Sequence, residues 1–371
     1  MKVALVHDWL GERIGGAEQV FFELAAHYPE ADLFSLTYNQ KKFAPYLGLR
    51  PVTTSFLNRL PRFFKQRPTL LLPLMRRAVL GLKFKGYDLV ITNSTAWVKN
   101  INVPEGTKHL SYCHSPARML WDSWPKYLES QHIGPFKLGP VSRFLITCWA
   151  SRLRLWDFYA TERIDLLLGN SNYIAERIRK YYGRTASVLY PPVEQLDAAS
   201  HARRSDYYLV LSVLSRYKQI DVVIEAFKAS SRQLIVAGDG PDRSRLEALA
   251  DAAPNIHFEG RVSALRKQEL MAEARGFIFP GIEDFGITPV EAMMVGTPVI
   301  ALGAGGLRET VQEGLSGHFY HAATAAALRA AIEDCDDVTW DRAKIRASAE
   351  KFSKATFLQN LDRYVDEVRS A

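Results

Sequence analysis

The sequence predicts an α/β protein made of two doubly wound domains, each a parallel sheet with helices on its faces. Three observations carry this. Short Val/Ile/Leu runs alternate with helical patterns along the chain. The alternation breaks once, after Tyr190, at "PPVEQLDAASHARRSD", and then restarts. The chain has 371 residues, 47% of them apolar, which is enough to bury two cores.

Taken in order, "KVALVHDW" reads as a buried strand and Ala17 to His27 as a helix. "YDLVITNS", "HLSYCHS" and "DLLLGNS" are further strands, the last leading into the helix "NYIAERIRKYYG" and then "SVLY". Two prolines and a polar stretch make a linker. The second half repeats the scheme: "YYLVLSVL", "QLIVAGDGP", "IHFEGRV", "GFIFPG" and "TPVIAL" are strands, and "IDVVIEAFKAS", "SRLEALADAA", "LRKQELMAEAR", "TPVEAMMVG" and "LRETVQEG" are helices. From Asp341 onward Phe352, Phe357, Leu361 and Val365 are spaced for one buried helical face. The expected boundaries are an N-terminal domain 1–190, a linker 191–205, a C-terminal domain 206–340, and helices 341–371 packing back toward the N-terminal domain. Two such domains are expected to leave a cleft between the carboxyl ends of their sheets, where ligands of open α/β sheets bind.

Composition excludes several classes. Cys113, Cys148 and Cys335 have no paired spacing, which argues against a metal knuckle or disulfide framework and for a reducing cytosol. "MKVALVHDWL" is too short for a signal-peptide core, and "TLLLPLMRRAVLGL" contains Pro73, Arg76 and Arg77, so no spanning segment is expected. Charge is uneven: residues 1–190 carry a net +12 and 191–371 a net −5. Between Asp32 and Asp88 there is no acid, but there are eleven bases: Lys41, Lys42, Arg50, Arg59, Arg62, Lys65, Arg67, Arg76, Arg77, Lys83 and Lys85. Such a face seeks an anionic partner. Interleaved with Phe63, Phe64, Leu70, Leu74 and Leu80, it suggests an interfacial helix on an anionic membrane.

The densest chemistry lies in "PGIEDFGITPVEAMMVGTPVIA", Pro280 to Ala301. A strand ends there and a helix begins, with Pro289 early in the helix, where a missing N–H costs nothing. Amides of Phe285, Gly286 and Ile287 at a helix N-terminus favour an anion such as a diphosphate, and Gly286 permits close approach. Glu283 falls in the loop, and Glu291 about one turn into the helix, where a carboxylate can accept hydrogen bonds from a diol such as ribose. Spacing alone is equally compatible with an acidic helix start beside an exposed glutamate.

The stretch resembles the Glu-x7-Glu signature of retaining GT-B glycosyltransferases of family 4. "GGAE" (Gly15 to Glu18), "YCHSP" (Tyr112 to Pro116), "NSNYIAERI", "YPPV", "GDGP" and "GGLRETV" match the same family in order across nearly the whole chain. The resemblance implies a GT-B fold, two Rossmann-like domains facing across a cleft. It implies that Glu291 binds the nucleotide ribose, that Glu283 and the amides from Phe285 to Thr288, with Ile287 between, hold donor sugar and diphosphate, and that Gly15 and Gly16 form a close loop near the phosphates. His114 stands by the donor sugar, and Arg118 and Asp122 are further residues of that sugar or acceptor loop. Lys218 matches the phosphate-binding lysine. The arginine common five residues earlier is Val213 here, leaving Arg216 as a substitute cation or the site with one cation fewer.

Two look-alike motifs carry less. "DCDD" from Asp334 has a metal-binding Asp-x-Asp spacing but reads as a solvated loop, and "GAGGLR" places Arg308 where a dinucleotide fingerprint has its third glycine. No metal and no cofactor is expected. The resemblance implies a hexosyltransferase with catalytic His114, Glu283 and Lys218, working by front-face attack with retention. Its donor is a nucleotide sugar, GDP-mannose before a UDP- or dTDP-sugar, and its acceptor is lipid-linked or a glycan in cell-surface polysaccharide synthesis. It is expected in the cytoplasm, peripheral on the inner face of the cytoplasmic membrane, without nucleic acid. A different class, a non-catalytic anion or nucleic-acid binder using the basic N-terminal face with Phe56, Phe63, Phe64 and Phe84, is the alternative.

Overall fold

The computed structural model describes residues 1–11, 14–65, 68–122, 132–133, 136–137, 139–194 and 205–370. The chain forms two compact units, Met1–Tyr190 with Leu358–Ala371, and Pro191–Phe357. Most of the expected linker, residues 195–204, lies outside the described residues.

The first unit runs β1 Val3–Leu10, α1 Gly16–His27, β2 Asp32–Tyr38, α2 Gln40–Leu47, β3 Val52–Thr54, α3 Arg62–Lys65, α4 Pro68–Leu71, α5 Met75–Gly81, β4 Leu89–Ser94, β5 Lys108–Cys113 and α6 Arg118–Trp121. A small antiparallel ladder, β6 His132–Ile133 with β7 Phe136–Lys137, precedes α7 Pro140–Ala160, β8 Leu166–Gly169, α8 Asn172–Tyr182 and β9 Ser187–Val188. Seven strands make a parallel sheet in the order β3-β2-β1-β4-β5-β8-β9. The sequence reading missed β2 and β3. In β2 the apolar run is broken by Ser35 and Thr37, both buried, and Ser35 Oγ donates to the Thr37 carbonyl at 2.8 Å.

One carboxylate fixes the carboxyl edge of this sheet. Asp8, fully buried near the end of β1, accepts from the amides of Thr95 (2.6 Å), Ala96 (2.8 Å), Trp97 (3.0 Å) and Val98 (2.8 Å) and from Thr95 Oγ1 (2.9 Å). It thereby caps the turn that follows β4, satisfying donors that burial would otherwise leave unpaired.

The acid-free run does not form one interfacial helix. A 3-10 turn over Phe56–Arg59 and the short α3, α4 and α5 divide it, because Pro61, Pro68 and Pro73 each interrupt the ladder. Leu57, Leu71, Met75, Ala78, Val79 and Leu82 go into the core of the unit. Phe84 goes there too, 1% exposed and packed on Phe34, so it belongs to no surface stripe. Phe56, Phe63 and Phe64 stay exposed, as do Arg59, Arg76 and Arg77.

The second unit runs β10 Tyr207–Leu211, α9 Ile220–Lys228, β11 Gln233–Ala237, α10 Arg243–Ala250, β12 Ile256–Gly260, α11 Ala264–Glu273, β13 Gly276–Phe279, α12 Ile287–Met294, β14 Val299–Leu302, α13 Leu307–Thr310, β15 Gly317–Tyr320, α14 Ala325–Asp336 and α15 Arg342–Ala349. Its parallel sheet has the order β12-β11-β10-β13-β14-β15. Val210, Leu234, Val236 and Ile278 pack against Val223, Ile224, Phe227 and Leu328, and each such side chain contributes about 1.5–3 kcal/mol by burial. The "DCDD" stretch is not a solvated loop. Cys335 and Asp336 end α14; Cys335 is buried, and Asp336 is bound by Arg232, Arg275 and Tyr208 Oη.

The last helix, α16 Lys354–Ser370, begins in the second unit and continues in the first. Within the first unit Tyr364 Oη donates to the Val188 carbonyl at 3.1 Å and Asp362 lies 2.7 Å from His27 Nε2. Phe352, Phe357, Leu361 and Val365 are buried.

In each unit the strand order reverses once, between β1 and β4 and between β10 and β13. Ligands of open α/β sheets bind at the carboxyl ends beside such a reversal. Gly15 follows β1, Lys218 follows β10 and Glu283 follows β13, strands that flank these reversals, while His114 follows β5.

Candidate functional site

In the second unit, the loops leaving β10 and β13 carry Lys218 and Glu283. Paired glycines set the height of each loop. Gly238 (φ +122°) and Gly240 back the first: a Cβ on Gly238 would stand 1.9 Å from the Ser212 carbonyl oxygen, and one on Gly240 2.1 Å from that of Leu214. Gly305 (φ +66°) and Gly306 back the second, where a Cβ would stand 2.4 Å from the Glu283 oxygen or 2.2 Å from that of Asp284. The amide of Gly306 donates to the Glu283 carbonyl at 2.8 Å. "GDGP" and "GGLRETV" therefore act here as backstops, since only glycine lets backbone approach backbone so closely.

So held, Lys218 Nζ donates directly to the Glu283 carboxylate. The lysine also lies 5.5 Å from the Phe279 ring centroid and 5.2 Å from that of Tyr217. Next to them Gly286 (φ +89°) caps α12, with Leu307 so close that a Cβ would meet its Cδ1 at 3.0 Å. The first amides of α12, Ile287 and Thr288, have no preceding turn to bond within the helix. Phe285 contributes backbone only, because its ring is buried edge-on against Phe352 at 5.3 Å. Arg216 shares the Lys218 turn, but its side chain is 83% exposed and its Nε stands 3.9 Å from Asp242. Val213 is exposed.

Glu291 is buried one turn into α12, and Lys267 Nζ of α11 donates to it at 2.6 Å. Burial pushes the Glu291 carboxyl above its ordinary value against the pull of Lys267. The sequence reading missed Lys267; its signal was a lysine one turn past the Ser263 cap, whose Oγ accepts from the Arg266 amide. Lys218 follows the carboxyl end of β10, and Glu283, Gly286, Ile287, Thr288 and Glu291 follow that of β13.

In the first unit, Gly15 is the N-cap of α1 and Gly16 its first residue, and Glu18 reaches back to accept the Gly15 N–H at 2.7 Å. Strand register then lines up three more groups. His7 of β1 is paired with Asn93 of β4, and His114 follows β5, its amide bonded to the Ser94 carbonyl at 2.8 Å. Asn93 Nδ2 donates to the Ala17 carbonyl at 2.7 Å, which turns Oδ1 toward His114 Nε2 at 2.6 Å. An amide oxygen only accepts, so Nε2 of His114 carries the proton. Burial, with His7 adding to it against Glu18, holds the His114 imidazole down to about 3, so the ring is neutral and Nδ1 is left as an acceptor. Glu18 itself is pulled up by burial, but its bond and attraction to His7, 3.4 Å away, and the amides of Gly15 and Glu18 leave it below the usual range.

His7, Asn93 and Glu18 were not expected as site residues; the signal for the first two was a polar side chain near the carboxyl end of an otherwise apolar strand, and for Glu18 an acid in the first turn of α1. The Asp122 carboxylate is bonded by Arg177 and by Tyr181 Oη (2.5 Å), which tie the end of α6 to α8. Arg118, on α6, is exposed, with Nε 3.4 Å from Ser115 Oγ. Among the described residues no cluster of three His, Cys, Asp or Glu side chains is arranged for a metal ion.

Two family models together match residues 14 to 352: Glycosyltransferase Family 4 over residues 14–195 and Glycosyl transferases group 1 over residues 194–352. The chain is 23% identical to an alpha-1,3/1,6-mannosyltransferase of Dictyostelium discoideum over 99% of this chain and 98% of that protein. It is 34% identical to a phosphatidyl-myo-inositol mannosyltransferase of Mycobacterium leprae over 60% of this chain and 62% of that one. Among solved structures it resembles HepE of Anabaena in complex with UDP, with a TM-score of 0.67 at 18% identity over 99% and 100% of the two chains. A sucrose-phosphate synthase of Thermosynechococcus elongatus superposes with a TM-score of 0.66 at 19% identity, over the full length of both.

Proposed function

The chain belongs to the group 1, family 4 glycosyltransferases and has their GT-B fold, and from that premise we propose that this hexosyltransferase moves mannose from GDP-mannose to a lipid-linked or glycan acceptor with retention of configuration. The observation that carries the reading is the Lys218–Glu283 pair on two glycine-backed loops, beside the first amides of α12 and the buried Glu291. As the glycosidic bond breaks, charge grows on the leaving diphosphate. Lys218 and the amides of Gly286, Ile287 and Thr288 stabilise it, and Arg216 adds its charge from the same turn. Glu283 orients sugar hydroxyls, Glu291 accepts from the ribose diol, and His114 offers Nδ1 to a sugar hydroxyl. The acceptor hydroxyl attacks on the face the phosphate leaves. Protein cations and helix amides suffice for the diphosphate, so no metal is needed. The mannosyltransferases among the relatives favour this sugar.

The acceptor is presented at an anionic membrane, which the exposed Phe56, Phe63 and Phe64 beside Arg59, Arg76 and Arg77 support. The Arg77 guanidinium lies 5.8 Å from the Phe56 ring centroid.

The test is a donor panel of GDP-mannose, UDP-glucose, UDP-galactose and dTDP-sugars with purified protein, read by mass spectrometry in excess chelator, with the anomer assigned by NMR. Turnover of GDP-mannose to an α-linked product is expected. Exclusive use of a UDP-sugar, or complete loss of activity on chelation that Mg²⁺ restores, would refute the corresponding part. No turnover of any sugar would return the chain to the anion-binding alternative.

A further inference from the structure

We propose that the outer face of α7 is the surface that enters the lipid, an inference that rests on the membrane reading above but moves the inserted element away from the acid-free run. The helix is 21 residues long and has two unlike faces. Its inner face is locked by Asp157, which is fully buried and accepts from Lys99 Nζ (2.6 Å), Asn100 Nδ2 (2.8 Å), Trp121 Nε1 (2.8 Å) and Tyr182 Oη (2.7 Å). Ala150 and Leu153 are buried on the same side, and Arg154 Nε donates to the Leu120 carbonyl at 2.6 Å. Rolling the helix would strand a buried carboxylate and a buried ammonium, so its orientation is set.

That lock turns an apolar stripe outward. Phe144, Leu145, Leu155 and Tyr159 are 68%, 61%, 56% and 57% exposed, and Cys148, Ser151 and Arg152 are exposed among them. Positions 144, 148, 151, 155 and 159 follow the helical period on one side, a stripe about 22 Å long at 1.5 Å per residue. A soluble helix rarely presents so many large apolar side chains on one face without a partner.

Charge selects the partner. Asp157 is the only acid in α7, and it is buried and bound, while Arg143, Arg152 and Arg154 make the helix cationic. A second copy docked by two-fold symmetry would bring the same cations together, whereas an anionic bilayer supplies the opposite charge along with an apolar phase. The three arginines and Asp157 keep the helix from crossing a bilayer, and among the described residues no helix is long and apolar enough to do so. It lies in the interface plane.

Cys148 makes the test direct: it is exposed on the stripe, while Cys113 and Cys335 are buried. The full chain, labelled at Cys148 with an environment-sensitive nitrobenzoxadiazole, is mixed with phosphatidylglycerol vesicles at low salt. A blue shift with several-fold brighter emission is expected, absent with pure phosphatidylcholine. In co-sedimentation the triple variant Phe144→Ser, Leu145→Ser, Leu155→Ser should bind at least about tenfold more weakly than the parent. If the parent pellets but the triple variant pellets equally and Cys148 shows no shift, this inference fails and the membrane reading survives. If the parent does not pellet, both fail. Lipid-free self-association abolished by the same three substitutions would assign the face to a second copy and overturn the proposal.

Discussion

His114 Nε2 lies 2.6 Å from Asn93 Oδ1, and Asn93 is itself turned by the Ala17 carbonyl. A side chain of β4, itself held by the first turn of α1, thus decides which ring nitrogen of His114 can accept. With the imidazole held down to about 3 by burial, the ring stays neutral across the working range of pH. Nitrogen-15 NMR of histidine-labelled protein should show His114 as the Nε2–H tautomer, unchanged from pH 8 to pH 5. Asn93→Ala should mix the tautomers and lower kcat/KM about tenfold or more. Asn93→Asp places a carboxylate beside the ring, raises its pKa and brings a new inflection into the pH profile toward neutrality. A wild-type ring titrating near 6.5 would sink this account.

Lys218 and Glu283 bond to each other, so their substitutions should not be independent. Lys218→Met and Glu283→Gln are each expected to cost at least about a hundredfold in kcat/KM, and the double variant little more than the worse single, a coupling above about 1 kcal/mol. Strictly multiplicative losses would show that the two act apart.

Glu291 and Lys267 form the second pair, at 2.6 Å. Glu291→Gln should raise the Kd for a nucleoside diphosphate about tenfold in calorimetry while kcat changes less, because ribose contacts persist in every bound state. Lys267→Met leaves a buried carboxylate without its cation and should lower the denaturation midpoint more than Glu291→Gln does. Equal nucleotide affinity in wild type and Glu291→Gln would remove Glu291 from the ribose site.

The glycine backstops make a steric prediction. Gly306→Ala drives a methyl into the Asp284 carbonyl and should abolish donor turnover, whereas Gly314→Ala, with φ +73° but nothing within 4 Å, should cost only about 1 kcal/mol of strain and leave kinetics near wild type. Similar kinetic losses in both variants would show that loop height is not what these glycines control.

His109, fully buried with Thr92 Oγ1 3.1 Å from its Nε2, is pushed down to about 4 by burial, against the pull of Asp165. Its folded pKa lies below its unfolded one near 6.5, so the unfolded chain takes up a proton that the folded chain refuses. Stability is full above pH 6.5 and is lost as pH falls toward 4, by about 2 kcal/mol between pH 7 and pH 5. Urea titrations at those two pH values, with His109→Gln as control, should show a smaller pH-dependent loss in the variant.

Local sequence determined much of this protein. The strand-helix alternation of the second half survives through β14, because those strands are short unbroken apolar runs and the helices carry one apolar face, signals that need no distant partner, while β15 and α14 were not read. Glu283, Gly286 and Glu291 could be placed for the same reason, a strand end, a glycine and a helix start set within a few residues, whereas Lys218 was singled out by the family resemblance. What tertiary structure alone decided is which charges meet and which faces stay open. Lys218 finds Glu283, Lys267 finds Glu291, Asp122 is taken by Arg177, and Asn93 turns His114 across partners 21 to 65 residues apart. "DCDD" became a helix end because Arg232, Arg275 and Tyr208 converge on Asp336, and Phe84 left the basic run for the core because Phe34 was there to receive it. Pairings of this kind depend on sheet register and on the desolvation of side chains brought together from distant parts of the chain, quantities that no window of sequence contains.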